Sequence, residues 1–332
     1  VAPSSKSPKD LDQLAEAVIA RDRRALARAI TLIESTRADD RAGAEALLAR
    51  LLPASGSAIR IGISGAPGVG KSTFIEAFGL YLLGQGRRPA VLAVDPSSPL
   101  SGGSILGDKT RMQELARHQG AFIRPSPAGG TLGGVARRTR EAGLACEAAG
   151  FDVVIVETVG VGQSETAVAD LVDMFVLLLA PGGGDELQGL KKGIVELADL
   201  LLVNKADGDL RPAASRAAAE YRAAVHMLRP STAGWAPPVL EVSALERRGL
   251  DQVWQEIERF RAALGPQRLT DKRTRQARAW MWREIEEGLV AELRAQPAVA
   301  RELAELEQKV ADGALTPTAA ARAILDRVRT RE

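Results

Sequence analysis

The octapeptide Gly65-Ala66-Pro67-Gly68-Val69-Gly70-Lys71-Ser72 lies between an apolar run at 59–64 and a helical pattern at 73–83. It fits G-x-x-x-x-G-K-[ST] in the strand, loop and helix setting that its chemistry requires. Glycines let backbone N–H groups turn inward around a polyphosphate, and the following helix N-terminus adds the positive end of its dipole. In such a loop Lys71 reaches the β- and γ-phosphates, Ser72 can ligate Mg²⁺, and Thr73 continues the phosphate-facing turn. The bland alternative is a glycine-rich turn that spells the motif by chance, and the flanking strand and helix argue against it. These residues point to a nucleoside triphosphate without saying which one.

A second tetrapeptide addresses the base. Asn204-Lys205-Ala206-Asp207 follows a strand-like run at 200–203 and fits N-K-x-D. Its Asp carboxylate can accept two hydrogen bonds from the guanine ring N–H and exocyclic amine, which adenine does not supply. A buried polar group left unpaired costs about 1–3 kcal/mol, and more when charged, so GTP or GDP is expected over the adenine nucleotides. Ser243-Ala244-Leu245 follows the last strand-like run. In GTPases that stretch supplies a backbone contact to the guanine oxygen; taken alone it reads equally as an ordinary strand-to-helix turn.

Three further sites could serve the phosphate end. Glu157-Thr158-Val159-Gly160 closes the run at 153–156, where other GTPases carry D-x-x-G, so Glu157 is a candidate for holding Mg²⁺ directly or through water. Gln163 is offset from the place of a water-orienting Gln, and slow intrinsic hydrolysis is expected. Asp95 ends the run at 89–94 and Asp108 lies in a glycine-rich loop at 101–108. Each is a candidate Mg²⁺ neighbour, and each reads equally as a solvated loop carboxylate. The glycine-rich stretch 180–192 contains Lys191 and Lys192, either of which could move toward the phosphates as a cation, the alternative being a solvated loop lysine.

The elements that must position these residues follow from hydrophobic patterning. Runs at 59–64, 89–94, 121–124, 153–156, 174–179, 200–203 and 239–242 are mostly apolar and separated by helical patterns, which predicts a parallel sheet covered on both faces. Ligands of such sheets bind at the carboxyl ends of strands, where most of the motifs above fall. Two amphipathic helices precede the sheet, one from Leu11 to Ile33 and one from Ala44 to Leu52, and Pro53 to Ser57 reads as a linker. After Leu264-Gly265-Pro266 three charged helices are expected, at 268–294, 298–310 and 317–329, with Trp282, Ile285 and Leu289 on a shared face. The resulting division is a helical segment at 1–56, an α/β nucleotide domain of P-loop type at 57–264 and a helical arm at 265–332. The apolar face of that arm can pack on its own domain or in a dimer.

Composition narrows the classes. Lys and Arg total 44 against 42 Asp and Glu, so no global field favours nucleic acid or a membrane surface. No stretch approaches the roughly 20 apolar residues of a membrane span. The single cysteine, Cys146, has no partner within the chain and reads as a buried small hydrophobe, which suits a reducing, cytoplasmic compartment. The chain opens without Met, which is compatible with a removed transit peptide. One Cys and two His, His118 and His226, argue against a soft-metal site.

Together, Ile61 to Thr73, Val94-Asp95-Pro96-Ser97-Ser98, Gly107-Asp108-Lys109-Thr110-Arg111-Met112, Glu157 to Glu165 and Asn204-Lys205-Ala206-Asp207 closely resemble the MeaB family. These are GTPase chaperones associated with adenosylcobalamin-dependent methylmalonyl-CoA mutase, in a P-loop GTPase group that also contains nickel metallochaperones. The resemblance covers essentially the whole chain, and a Glu in the third motif is that group's mark. It implies a homodimer held in part by the C-terminal helices, a mutase partner whose cofactor loading is gated and protected, and low GTPase activity raised by that partner. It also implies a Mg²⁺ neighbourhood of Ser72, Asp95, Asp108 and Glu157, and a functional cation at Lys191. The rival expectations are a metal-delivering GTPase and a dimeric binding module in which nucleotide serves structure.

Overall fold

The computed structural model describes residues 7–94, 112–125, 132–158, 164–182, 192–228 and 230–329. Asp95, Asp108, Gly160, Gln163 and Lys191 lie outside the described residues.

Seven strands, β1 (Ile59–Gly65), β2 (Pro89–Val94), β3 (Phe122–Arg124), β4 (Val153–Thr158), β5 (Met174–Leu179), β6 (Leu200–Val203) and β7 (Val239–Glu241), form one sheet. Its order is β3-β2-β4-β1-β5-β6-β7 and every pairing is parallel. Parallel strands buried on both faces need no polar alternation, and β4, β5 and β6 are buried at every position. The chain leaves central β1 toward β2 and β3, returns as β4, and crosses to β5 on the other side of β1. The carboxyl end of β1 therefore sits where the winding reverses, the place such sheets reserve for ligands.

Helix α4 (Lys71–Gly84) starts directly at the end of the glycine loop and buries Phe74, Ile75, Phe78 and Leu82. Phe74 and Phe78 stack at 5.6 Å, and Trp254 tilts against Phe78 at 6.4 Å. Gly79 admits α5 (Gln113–Arg117), because a Cβ there would meet the Leu115 side chain at 2.5 Å. The other helices between strands are α6 (Leu132–Ala148), α7 (Ser164–Ala169), α8 (Lys192–Leu197) and α9 (Arg211–His226).

Ahead of the sheet the structure has three helices rather than two: α1 (Pro8–Ile19), α2 (Arg23–Ile33) and α3 (Ala38–Leu51). The apolar periodicity runs on across the first break, but Arg21 adopts φ 69°, and the Asp22 carboxylate caps α2 by accepting from the backbone N–H groups of Arg24 and Ala25. These backbone bonds hold the Asp22 carboxyl below its ordinary range. The stretch read as a linker is also tied down. Leu52–Ala54 forms a 3₁₀ turn, and the Gly56 N–H donates to Glu147 Oε2 at 2.6 Å. Glu147, buried on α6, accepts from Arg60 Nε at 2.6 Å through its other oxygen, so one carboxylate joins the linker, β1 and α6. Arg124, at the end of β3, pairs with Glu34 at the end of α2; burial pushes the Glu34 carboxyl up despite that partner.

The chain divides into two compact units, Val1–Lys272 and Arg273–Glu332. Helix α10 (Leu250–Ala295) runs through the division and bends earlier, at Gly265 (φ 67°) and Pro266. In the second unit α11 (Pro297–Ala311) and α12 (Pro317–Arg329) pack on each other, with Val299, Ala320 and Ile324 buried and Arg327 paired to Glu302 at 2.9 Å. Among the described residues no helix is long and apolar enough to cross a membrane.

Cys146 is fully buried on α6, and desolvation pushes its thiol far above the ordinary range. The native protein should therefore resist a thiol reagent that labels one site per chain in denaturant. Rapid labelling of the native state would contradict this packing.

Candidate functional site

Two glycines make the phosphate loop possible. A Cβ at Gly65 would lie 2.5 Å from the Leu178 carbonyl oxygen, so any side chain there collides with the β5 backbone. Gly70 holds φ 93°, and a Cβ on it would press to 2.8 Å from Asn204 Nδ2. Gly70 is also the N-cap of α4, and no side chain caps that helix. Its first-turn N–H groups are thus presented toward the loop as an anion site reinforced by the helix dipole. The Lys71 ammonium folds back, donating to the carbonyl oxygens of Gly65 at 2.7 Å and Ala66 at 3.1 Å.

At the neighbouring strand end Glu157 is 3% exposed, and the Ser72 hydroxyl donates to its Oε1 at 3.1 Å. The Thr158 hydroxyl donates to Ser64 Oγ at 2.9 Å, which ties the end of β4 to that of β1. A hydroxyl and a carboxylate side by side, both hard oxygen donors beside an anion-binding loop, form a donor set that suits Mg²⁺. The longer reach of Glu over Asp brings its carboxylate to Ser72 from a buried β4 position.

The N-K-x-D segment builds the other end. Asn204 is buried; its Nδ2 donates to the Val69 carbonyl at 2.9 Å and its Oδ1 accepts from the Ala244 N–H at 3.2 Å. It therefore works first as a strut between the phosphate loop and the Ser243-Ala244-Leu245 loop, a role that the motif alone does not reveal. Lys205 adopts φ 58°, a left-handed conformation uncommon for a side-chain-bearing residue, and its ammonium donates to the Gly68 carbonyl at 2.7 Å. The buried Ser243 hydroxyl donates to Asp207 Oδ2 and accepts the Glu246 N–H at 3.0 Å. The Arg248 guanidinium donates to the Ala206 carbonyl. The Ser243 hydroxyl that orients Asp207 is thus itself held.

Between the two ends lies a pocket of about 230 Å³ lined by residues that include Gly70, Thr73, Lys205, Asp207, Leu210 and Leu245. The structure thus brings the described members of the expected set together: residues 65–73, Glu157, Asn204, Lys205, Asp207 and 243–245. Leu210 was not expected from the sequence. Its only advance signal is an apolar side chain in the polar turn Gly208-Asp209-Leu210-Arg211 just after Asp207.

Replacing Asn204 by Ala would leave the Val69 carbonyl and the Ala244 N–H without their partner. A loss of about 1–3 kcal/mol of stability is expected even without nucleotide. Thermal or denaturant unfolding of the empty protein measures it, and an unchanged midpoint would remove the strut.

Residues 26–298 match the family described as methylmalonyl Co-A mutase-associated GTPase MeaB. A Caulobacter vibrioides protein described as a GTPase is 57% identical over 318 residues, covering 95% of this chain and 97% of its own. The mitochondrial methylmalonic aciduria type A homolog of Mus musculus is 47% identical over 339 residues, covering 99% and 82% respectively. A solved structure titled LAO/AO transport system kinase superposes with a TM-score of 0.79 at 39% identity, covering 98% of this chain and 99% of that one.

Proposed function

The chain belongs to the MeaB family of methylmalonyl Co-A mutase-associated GTPases, and from that premise we propose that its GTP hydrolysis is Mg²⁺-dependent and serves a mutase. The client is an adenosylcobalamin-dependent methylmalonyl-CoA mutase, whose cofactor loading and protection are coupled to GTP binding and turnover. The observation that carries the catalytic half is the 3.1 Å approach of Ser72 to Glu157 beside the uncapped start of α4.

In this reading the loop N–H groups and the first turn of α4, including Thr73, hold the phosphates. Lys71 exchanges its two carbonyl partners for β- and γ-phosphate oxygens. Ser72 and Glu157 would hold Mg²⁺, with Asp95 and Asp108 as further candidate ligands. When bound, that ion would neutralise charge on the β- and γ-phosphates. Asp207, oriented by Ser243, reads the guanine edge, and Lys191 is the proposed further cation. Water attacks the γ-phosphorus as its bond to the β-phosphate oxygen breaks, so GDP and inorganic phosphate leave as products.

The helical arm at 265–332 is proposed to serve dimerisation. Met281, Trp282, Ile285 and Leu289 fall along one side of α10 and are exposed, Trp282 at 60% and Leu289 at 62%. A second copy of this chain would cover such a surface. The site of action is proposed as cytoplasmic.

Steady-state GTP turnover, measured alone and with the mutase added, should be slow and then rise. A rate that stays flat would remove the mutase from the proposal. Lys71→Ala should lower turnover at least about a hundredfold, and full activity in that variant would overturn the assigned chemistry. Asp207→Asn should move preference from guanine toward xanthine nucleotides, read as a change in the ratio of their affinities. Trp282→Glu should shift the mass in light scattering from dimer to monomer; a monomeric wild type would dispose of the arm's role.

A further inference from the structure

The strand that carries the phosphate loop and the strand that carries Glu157 part company at the edge of the site. Their shared register runs from Ile59 opposite Val153 to Ile63 opposite Glu157. Beyond it β1 follows β5 as far as Gly65 opposite Leu178, while β4 follows β2 as far as Thr158 opposite Val94. What joins β1 to β4 past that point is a side-chain bond, the Thr158 hydroxyl donating to Ser64 Oγ at 2.9 Å. Both residues are fully buried, at 0% and 1% exposure.

Packing alone does not call for hydroxyls at this place. Side chains on one face of a strand recur every second residue, so Ser64 shares its face with Gly62. A Cβ on Gly62 would meet Val168 at 2.9 Å and Val172 at 3.0 Å, so that face is apolar and closely packed. Val is nearly isosteric with Thr and would fill the same space with no hydroxyl to desolvate. Buried hydroxyls are costly unless paired, and here each is the other's partner. Their bond fixes the separation of the two strand ends one residue beyond Glu157.

We propose that Thr158, acting through Ser64, is a positioning residue for Mg²⁺, holding Glu157 at the distance from Ser72 that a shared cation requires. The inference rests on the Mg²⁺ reading of Ser72 and Glu157 and deepens it by naming what sets their spacing. Thr158 is not itself a ligand, because consecutive strand residues point to opposite faces and its hydroxyl is engaged away from the Glu157 carboxylate. A displacement of the β4 end moves both residues together. Without the latch, the 3.1 Å approach of Ser72 to Glu157 loses the constraint that joins their two strands beyond the shared register.

The test titrates a fluorescent, non-hydrolysable GTP analogue onto the full-length protein over a range of Mg²⁺ concentrations and in excess EDTA. Thr158→Val is expected to raise the Mg²⁺ concentration at half-effect about tenfold, as loss of an outer partner does at a metal site, while affinity in EDTA stays as in the wild type. Thr158→Ser keeps the hydroxyl and should restore the wild-type value. Ser64→Ala should match Thr158→Val, and the double variant should be no worse than either, because the pair acts as a unit. Should Thr158→Val fail to fold, Ser64→Ala carries the same test. A wild-type Mg²⁺ dependence in the folded variants, even with a lowered unfolding midpoint, would reduce the pair to packing and overturn the proposal, as would additive losses in the double variant. Wild-type protein that binds the analogue equally in Mg²⁺ and in EDTA would instead overturn the Mg²⁺ reading itself, so the two failures are distinguishable.

Discussion

The buried carboxamide of Asn204 is the joint on which the site's architecture depends. Three separate loops, from the ends of β1, β6 and β7, must meet at one place, and none shares a strand or helix with another. Asn204 donates to the first and accepts from the third while belonging to the second. Buried polar groups are costly unless paired, so a strut of this kind makes the three loops mutually conditional. Gly70 is then obligatory for a reason beyond phosphate binding, since a Cβ there would crowd the same amide nitrogen.

That joint operates because the sheet beneath it is rigid. Central strands buried on both faces fix the height of each carboxyl end, and register does the rest. Ile63 stands opposite Glu157 on β4, while Gly65 stands opposite Leu178 on β5. Ser72 and Glu157 come from segments 85 residues apart, yet they reach hydrogen-bonding distance because α4 begins at the loop without an intervening turn. The N-terminal helices brace the far side of the same sheet through α6, where Glu147 joins the chain ahead of β1 to the strand itself.

What was legible in the sequence follows the strength of the local signal. The runs at 89–94, 174–179 and 200–203 coincide with strands β2, β5 and β6, because wholly buried parallel strands are continuously apolar between polar breaks. The helix break at Arg21 and Asp22 was hidden, since apolar spacing continues across it and only a capping carboxylate marks the boundary. The stretch Pro53 to Ser57 looked free because its anchor, Glu147, is remote in sequence. Residue types in the motifs identified the atoms able to do chemistry. The strut role of Asn204, the support that Ser243 gives Asp207 and the position of Leu210 emerge only when separate loops are brought together.

The folded-back Lys71 bears on how strongly the loop holds a polyanion. Here the ammonium has a resting berth on two carbonyls of its own loop. Carbonyl dipoles solvate the ammonium without removing its charge, so the loop keeps its attraction for a polyanion while the lysine stays hydrogen-bonded. Each phosphate contact that Lys71 makes therefore replaces a hydrogen bond within the loop, and only the difference between the two adds to binding.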